Sequence, residues 1–207
     1  MQLESIATGA FQELCHIVWN DVRQALVFDP GHDAQRLLHI LDKHRLDVAA
    51  YVCTHGHADH INALAELHGA RPAPVAMHSA DAAWAFEACN RIEPYYPVPQ
   101  RPATGSILAL ESARDWAFGG LRFQCIETPG HSPGSCCLLF PESAMLIAGD
   151  TLFKGSCGRT DLPGGSPRLM KESLNKLKQL PDEIRVYPGH GPDTTIGIER
   201  ATNPFMQ

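Results

Sequence analysis

Four side chains able to bind a metal or move a proton fall within six residues of the segment Thr54-His55-Gly56-His57-Ala58-Asp59-His60. His55 and His57 stand two apart after an apolar run, so an extended backbone aims both imidazoles the same way, while Asp59 and His60 face a neighbouring point. A lone His-x-His pair is weak evidence, but four donors at the end of a buried strand read as a metal-holding loop rather than a solvated turn. Three more donors occupy the same kind of place: His131 in Thr128-Pro129-Gly130-His131, Asp150 in Ala148-Gly149-Asp150-Thr151, and His190 in Pro188-Gly189-His190-Gly191. Each follows a strand-like run and adjoins glycine, which lets the chain turn sharply and the donor project into a cleft. Any one of them alone would read as a structural histidine or a capping aspartate. Their recurrence after separate strands points to one shared site, and imidazoles with carboxylates suit zinc, iron or manganese.

The elements that must carry these donors can be read from hydrophobic period and punctuation. Short strands are expected at His16 to Trp19 and Ala25 to Phe28 around the Asn20-Asp21 turn, followed by a helix over Ala34 to His44. A buried strand, Val48 to Cys53, runs into the donor cluster, and a helix from Ile61 to His68 ends at Gly69. Val75 to His78 reads as a strand, Ser79 as the cap of a helix over Ala80 to Cys89, and Asn90 to Gly105 as a proline-rich loop. Further strands are expected at Ile107 to Leu110, Trp116 to Phe118, Leu121 to Ile126, Ser135 to Phe140, Ala144 to Ala148 and Ile184 to Tyr187. Gly119-Gly120 marks a hairpin, and Pro167 to Leu180 is an amphipathic helix. Two sheet-bearing halves with amphipathic helices imply an α/β (α+β) protein in layers of helix, sheet, sheet and helix, with residues 1–207 as one domain.

Composition narrows the partners. The 207 residues are 44% hydrophobic and 19% charged, an ordinary globular balance that excludes collagen-like, coiled-coil and disordered chains. A net charge of −6 with no Lys/Arg block argues against nucleic acid and anionic membrane, so the ligand is expected to be a small molecule, with no obligate protein partner evident. No export signal or membrane span is visible. Seven cysteines without CxxC spacing fit neither a disulfide framework nor a cysteine zinc site, which leads to a cytoplasmic expectation. Cys15, Cys53, Cys125, Cys136 and Cys137 lie in apolar runs and read as small buried hydrophobes. Histidines 16, 32, 39, 44, 68 and 78 read as surface or packing residues, His78 being the closest to a donor position because it follows a strand.

With these donors in this order, the sequence resembles the metallo-β-lactamase superfamily. Within it the chain is similar to the glyoxalase II (hydroxyacylglutathione hydrolase) branch, through Gly158-Arg159-Thr160-Asp161-Leu162-Pro163-Gly164-Gly165 and Glu199-Arg200-Ala201-Thr202-Asn203-Pro204-Phe205. It looks like the short subgroup without a C-terminal helical domain. The resemblance implies a four-layer αββα sandwich and two divalent metal ions, zinc first, with iron or manganese as alternatives. It further implies that His55, His57 and His131 hold one metal, that Asp59, His60 and His190 hold the other, and that Asp150 bridges them. Asp59 and Asp150 then keep a hydroxide at the dinuclear centre. The expected reaction is attack of that hydroxide on a thioester such as S-lactoylglutathione, at a centre whose net positive charge stabilises the oxyanion.

Arg159 is the candidate contact for a glutathione carboxylate, against an ion pair with Asp161 as the structural alternative. Cys157 reads as packing rather than nucleophile. The competing activity is that of a persulfide dioxygenase of the same fold, which needs one iron on His55, His131 and Asp150. A closed structural zinc site is disfavoured because the donors include no cysteine. The acidic balance argues against a nuclease, and the Gly158 to Gly165 segment against a lactamase.

Overall fold

The computed structural model describes residues 1–112 and 115–207. Strands β1 (Gln2–Thr8) and β2 (Glu13–Trp19) form an antiparallel hairpin whose second strand pairs with β3 (Gln24–Phe28). Parallel strands β4 (Asp47–Val52), β5 (Val75–Met77) and β6 (Leu108–Ala109) complete a sheet ordered β1 to β6. Its crossovers carry helices α1 (Ala34–Lys43), α2 (Ala58–Ile61), α3 (Leu64–Ala70) and α4 (Ser79–Ala82).

The second half runs β7 (Asp115–Phe118), β8 (Leu121–Glu127), β9 (Cys136–Phe140) and β10 (Met145–Gly149). A separate small hairpin of β11 (Leu152–Phe153) and β12 (Ser156–Cys157) follows. Helix α5 (Pro167–Leu177), strands β13 (Arg185–Pro188) and β14 (Thr194–Thr195), and helix α6 (Ile196–Thr202) finish the chain's regular structure. The second sheet is ordered β14-β13-β10-β9-β8-β7.

Alternation along each strand sorts the core into layers. Leu26, Phe28, Ala50 and Val52 of the first sheet meet Phe123, Leu138, Phe140 and Ile147 of the second. Their neighbours Ala25, Val27, Tyr51 and Cys53 face the other way and pack with Leu37 and Leu41 of α1 and Leu64 and Leu67 of α3. In the second sheet Cys137, Leu139 and Leu146 face outward onto Met170, Leu174 and Leu177 of α5. Both sheets are thus covered on both faces, which gives the expected helix, sheet, sheet, helix order. Cys15, Cys53, Cys125, Cys136 and Cys137 are all buried and unpaired, as their apolar settings implied.

Two helices depart from the sequence expectation. The helix read over Ile61 to His68 is two pieces, because the Ala63 amide donates to the carbonyls of Pro30 and Gly31 at 3.1 and 3.2 Å instead of continuing one helical ladder. The helix read over Ala80 to Cys89 stops at Ala82 and gives way to turns, where the buried Asn90 amide takes the Ala85 carbonyl at 2.6 Å. Its N-cap is His78, not Ser79: the His78 Nδ1 accepts from the Ala80 amide at 3.2 Å. Strand β1 and helix α6 were not foreseen; β1 buries only Ile6 and Thr8, too sparse a pattern to stand out.

Phe28 sits at the centre of the inter-sheet layer, with Phe140 and Phe123 edge-on at 6.0 and 6.3 Å between ring centroids. Phe28→Ala should lower the unfolding free energy by about 3–5 kcal/mol in urea titrations, whereas Val22→Ser at an exposed turn should change it by less than about 0.5 kcal/mol.

Candidate metal centre

All seven expected donors arrive at one end of the two sheets. The cluster at 55–60 follows β4, His131 follows β8, Asp150 follows β10 and His190 follows β13. His57 is still extended, with φ −65° and ψ 148°, so Asp59 and His60 enter α2 and turn to a different side from His55 and His57. Among the described residues three groups of donors lie close enough to share an ion: the two expected triads, His55, His57 and His131 and Asp59, His60 and His190, and a third of Asp29, His55 and His60. Asp150 spans the two expected triads, its Oδ2 lying 3.5 Å from His131 Nε2 and 3.6 Å from His190 Nε2, and its Oδ1 3.5 Å from His60 Nε2. Glycine is required next to these donors: a Cβ at Gly189 would strike the Asp150 carboxylate and the His60 ring, and one at Gly158 would strike the Asp150 carbonyl.

The outer nitrogen of each imidazole fixes the inner one. His131 Nδ1 donates to the Arg159 carbonyl at 2.8 Å and His190 Nδ1 to the Phe11 carbonyl at 3.2 Å. His60 Nδ1 donates to Asp29 at 3.3 Å, and His55 Nδ1 to the Thr54 hydroxyl at 3.1 Å. Four rings therefore carry their single neutral-state proton on Nδ1 and present a bare Nε2 to the site. His57 differs, turning Nδ1 toward His131 Nε2 at 2.9 Å.

The donor set fits metal ions on its own hydrogen-bond accounting. His60 Nε2 and His190 Nε2 face each other at 3.2 Å, and with both Nδ1 atoms engaged either a proton on one of them or a cation must lie between them. His55 Nε2 and Asp150 Oδ1 are buried with no hydrogen-bond partner at all. A cation in each triad satisfies all of them.

Electrostatics divides the two halves. Burial, with the neighbouring imidazoles, holds His55 far below the usual histidine range and His57 down to about 3, so both are neutral and ready to ligate. Burial acts the same way on His60, but Asp150, Asp59 and Asp29 outweigh it and hold the ring up to about 10. His190 is likewise raised against its burial by Asp59 and Asp150, and Asp59 is lowered against its burial by His60 and His190.

Three residues absent from the sequence expectation hold this arrangement. Asp29, 1% exposed at the end of β3, accepts from the Thr54 amide at 2.7 Å, the Thr54 hydroxyl at 2.6 Å and His60. Asp81 accepts from the Gly56 and Gly134 amides at 2.8 and 2.7 Å and from the Ser132 hydroxyl at 2.6 Å, which ties the loop of His55 and His57 to that of His131. Asn90 accepts from the Ala58 amide and donates to the Gly56 carbonyl. Asp29 follows an apolar strand and adjoins Pro30-Gly31, but a single aspartate before a proline reads as turn chemistry.

Above the donors lies a cleft of about 980 Å³ with His57, Asp59, His131, Asp150 and His190 on its floor. Arg159 lines this cleft, and it also forms the bidentate pair with Asp161, at 2.7 and 2.8 Å. Cys157 is on the wall, half-buried, its thiol pushed up by that burial.

Residues 8–190 match the model of the metallo-beta-lactamase superfamily, and the chain belongs to that superfamily of metallo-hydrolases. It is 32% identical over 216 residues to a protein of Haemophilus influenzae named hydroxyacylglutathione hydrolase GloC, spanning 100% of this chain and 98% of that one. Among solved structures it is similar to BLEG-1, titled a B3 metallo-beta-lactamase, at 36% identity and TM-score 0.91, over 99% of both chains. It is also similar to TTHA1623, solved in a di-iron-bound form, at 38% identity and TM-score 0.86, over 98% of this chain and 99% of that one. No helix among the described residues is long and apolar enough to cross a membrane.

Replacing Asp29 by Ala should weaken metal binding by about 10–100-fold, read by metal analysis after dialysis, with circular dichroism reporting the fold. His78→Ala, at the α4 cap, should leave metal content at the wild-type level.

Proposed function

We propose that this protein is a metal-dependent thioester hydrolase acting on S-lactoylglutathione or a related acylglutathione. The observation that carries the reading is the convergence of seven donors in two triads, spanned by Asp150, on the floor of an open cleft. Full-length similarity to a hydroxyacylglutathione hydrolase supports it.

His55, His57 and His131 would hold one ion, Asp59, His60 and His190 the other, and Asp150 both. Zinc suits the set, and the di-iron form of a similar protein makes iron the alternative. Bound there, two divalent cations supply an activated water and a positive centre for the developing oxyanion. The chain's own residues do the rest. Carbonyls of Phe11 and Arg159 hold His190 and His131 in the ligating tautomer. Phe11, Trp84, Ile92, Phe153 and Leu162 wall the cleft and shield the reacting carbonyl from bulk water. Arg159 offers its guanidinium to a carboxylate on the thiol half of the substrate. Cys157, kept protonated by burial, is a spectator on the wall.

Two other chemistries share the site. A single-iron persulfide dioxygenase would use His55, His131 and Asp150 and leave His57, Asp59, His60 and His190 without work, although these four converge equally well. Opening of a β-lactam is favoured by the likeness to BLEG-1, which puts it beside thioester hydrolysis despite the Gly158 to Gly165 segment.

The deciding assay follows thiol release from S-D-lactoylglutathione by zinc- and iron-loaded protein. Release should cease on chelation and fall by at least about 100-fold in His57→Ala. Oxygen uptake on glutathione persulfide without thioester cleavage would replace the hydrolase by the dioxygenase. Faster opening of a chromogenic cephalosporin than of the thioester would make the protein a lactamase.

A further inference from the structure

Outside the metal-donor set, the described residues lining the cleft include just two charged side chains, and both are arginines: Arg91 and Arg159. In a chain of net charge −6 these two are the cationic side chains a substrate meets in the cleft, each balanced in the free protein by an acidic partner. The two come from different halves of the chain and share a local design. Arg91 is paired with Glu93 at 3.0 Å, and Arg159 with Asp161, each partner lying two residues further on. All four side chains are well exposed, at 56% and 71% for the first pair and 63% and 69% for the second. Such surface pairs hold little energy and are readily exchanged for an incoming carboxylate.

Their positions relative to the metal centre are fixed by the backbone. The carbonyl of Arg159 itself accepts from His131 Nδ1, and Asn90, next to Arg91, is bonded to Gly56 and Ala58 in the loop of His55, His57 and Asp59. Each guanidinium therefore stands on a segment anchored to a different donor loop. Phe11, Trp84, Ile92 and Phe153 of the same cleft are apolar.

We infer that Arg91 and Arg159 act as a pair of anchors for two separate carboxylates on the thiol half of the substrate, which makes a thiol carrier with two carboxylates the preferred leaving group. The inference rests on the thioester reading of the site and adds Arg91 as a specificity-determining residue. Two guanidinium groups on one cleft select a thiol carrier with two acidic groups over an uncharged thiol.

The test uses the zinc-loaded full chain. Calorimetric titration with S-methylglutathione, which cannot be hydrolysed, reads the anchors without turnover. Arg91→Gln and Arg159→Gln should each weaken binding by about tenfold, and added salt should weaken the wild type more than the double variant. Esterifying the glycine carboxylate of the ligand should abolish the effect of one substitution and keep that of the other. In turnover, the loss of kcat/KM on S-D-lactoylglutathione should exceed the loss on the uncharged S-lactoyl-N-acetylcysteamine by about tenfold, through KM. Unchanged binding in Arg91→Gln, or equal losses on the two thioesters, would overturn the pairing. Arginine-dependent binding with no hydrolysis of either thioester would uphold the anchors and reject the hydrolase.

Discussion

Two imidazole nitrogens held face to face, His60 against His190 at 3.2 Å beside Asp59 and Asp150, set the terms for the rest of this molecule. Nitrogens so placed need a proton or a metal cation between them, and the unpartnered His55 nitrogen and Asp150 oxygen need one beside them. The fold supplies the force that keeps them there. The donors sit on the loops and the short helix that follow strands β4, β8, β10 and β13, whose residues are locked into layers buried on both faces. A site crowded with polar groups is thus carried by the ends of the two core sheets.

From the donors outward, rigidity passes through a small number of buried polar contacts. Asp29 holds the turn after β4, and Asp81 joins the loops of the first triad; burial pushes the Asp81 pKa up, against the three donors that favour its charge. These carboxylates compensate their desolvation with backbone amides and hydroxyls, so the loops between sheet and site have little freedom left. The division of the donors into a neutral half, His55 with His57, and a half charged by carboxylates, His60 with His190, follows from the same placement.

Much of this was legible in the amino-acid sequence, for identifiable reasons. His55, His57, Asp59, His60, His131, Asp150 and His190 stood out because they combine an unusual residue type with a fixed relation to strand ends and glycine. The layers were legible because runs such as Val48 to Cys53 and Ser135 to Phe140 are too apolar for a surface and too short for a helix. Asp29 was not, since one aspartate before a proline is ordinary turn chemistry, and only the fold brings it to His60 across β3 and β4. The split of α2 from α3 and the early end of α4 were also hidden. Both come from contacts distant in sequence, the Ala63 amide with Pro30 and Gly31 and the Asn90 side chain with Ala85 and Gly56, and local propensity carries no record of these.

The carbonyls of Phe11 and Arg159 orient His190 and His131, while the side chains of the same two residues line the cleft. Every amino acid brings the same carbonyl, so the catalytic floor is indifferent to what side chain those positions carry. At these two positions the wall can be rewritten one codon at a time without removing the contact that orients the donor. One scaffold can in this way diversify into a family of chemistries while its ligand geometry stays still.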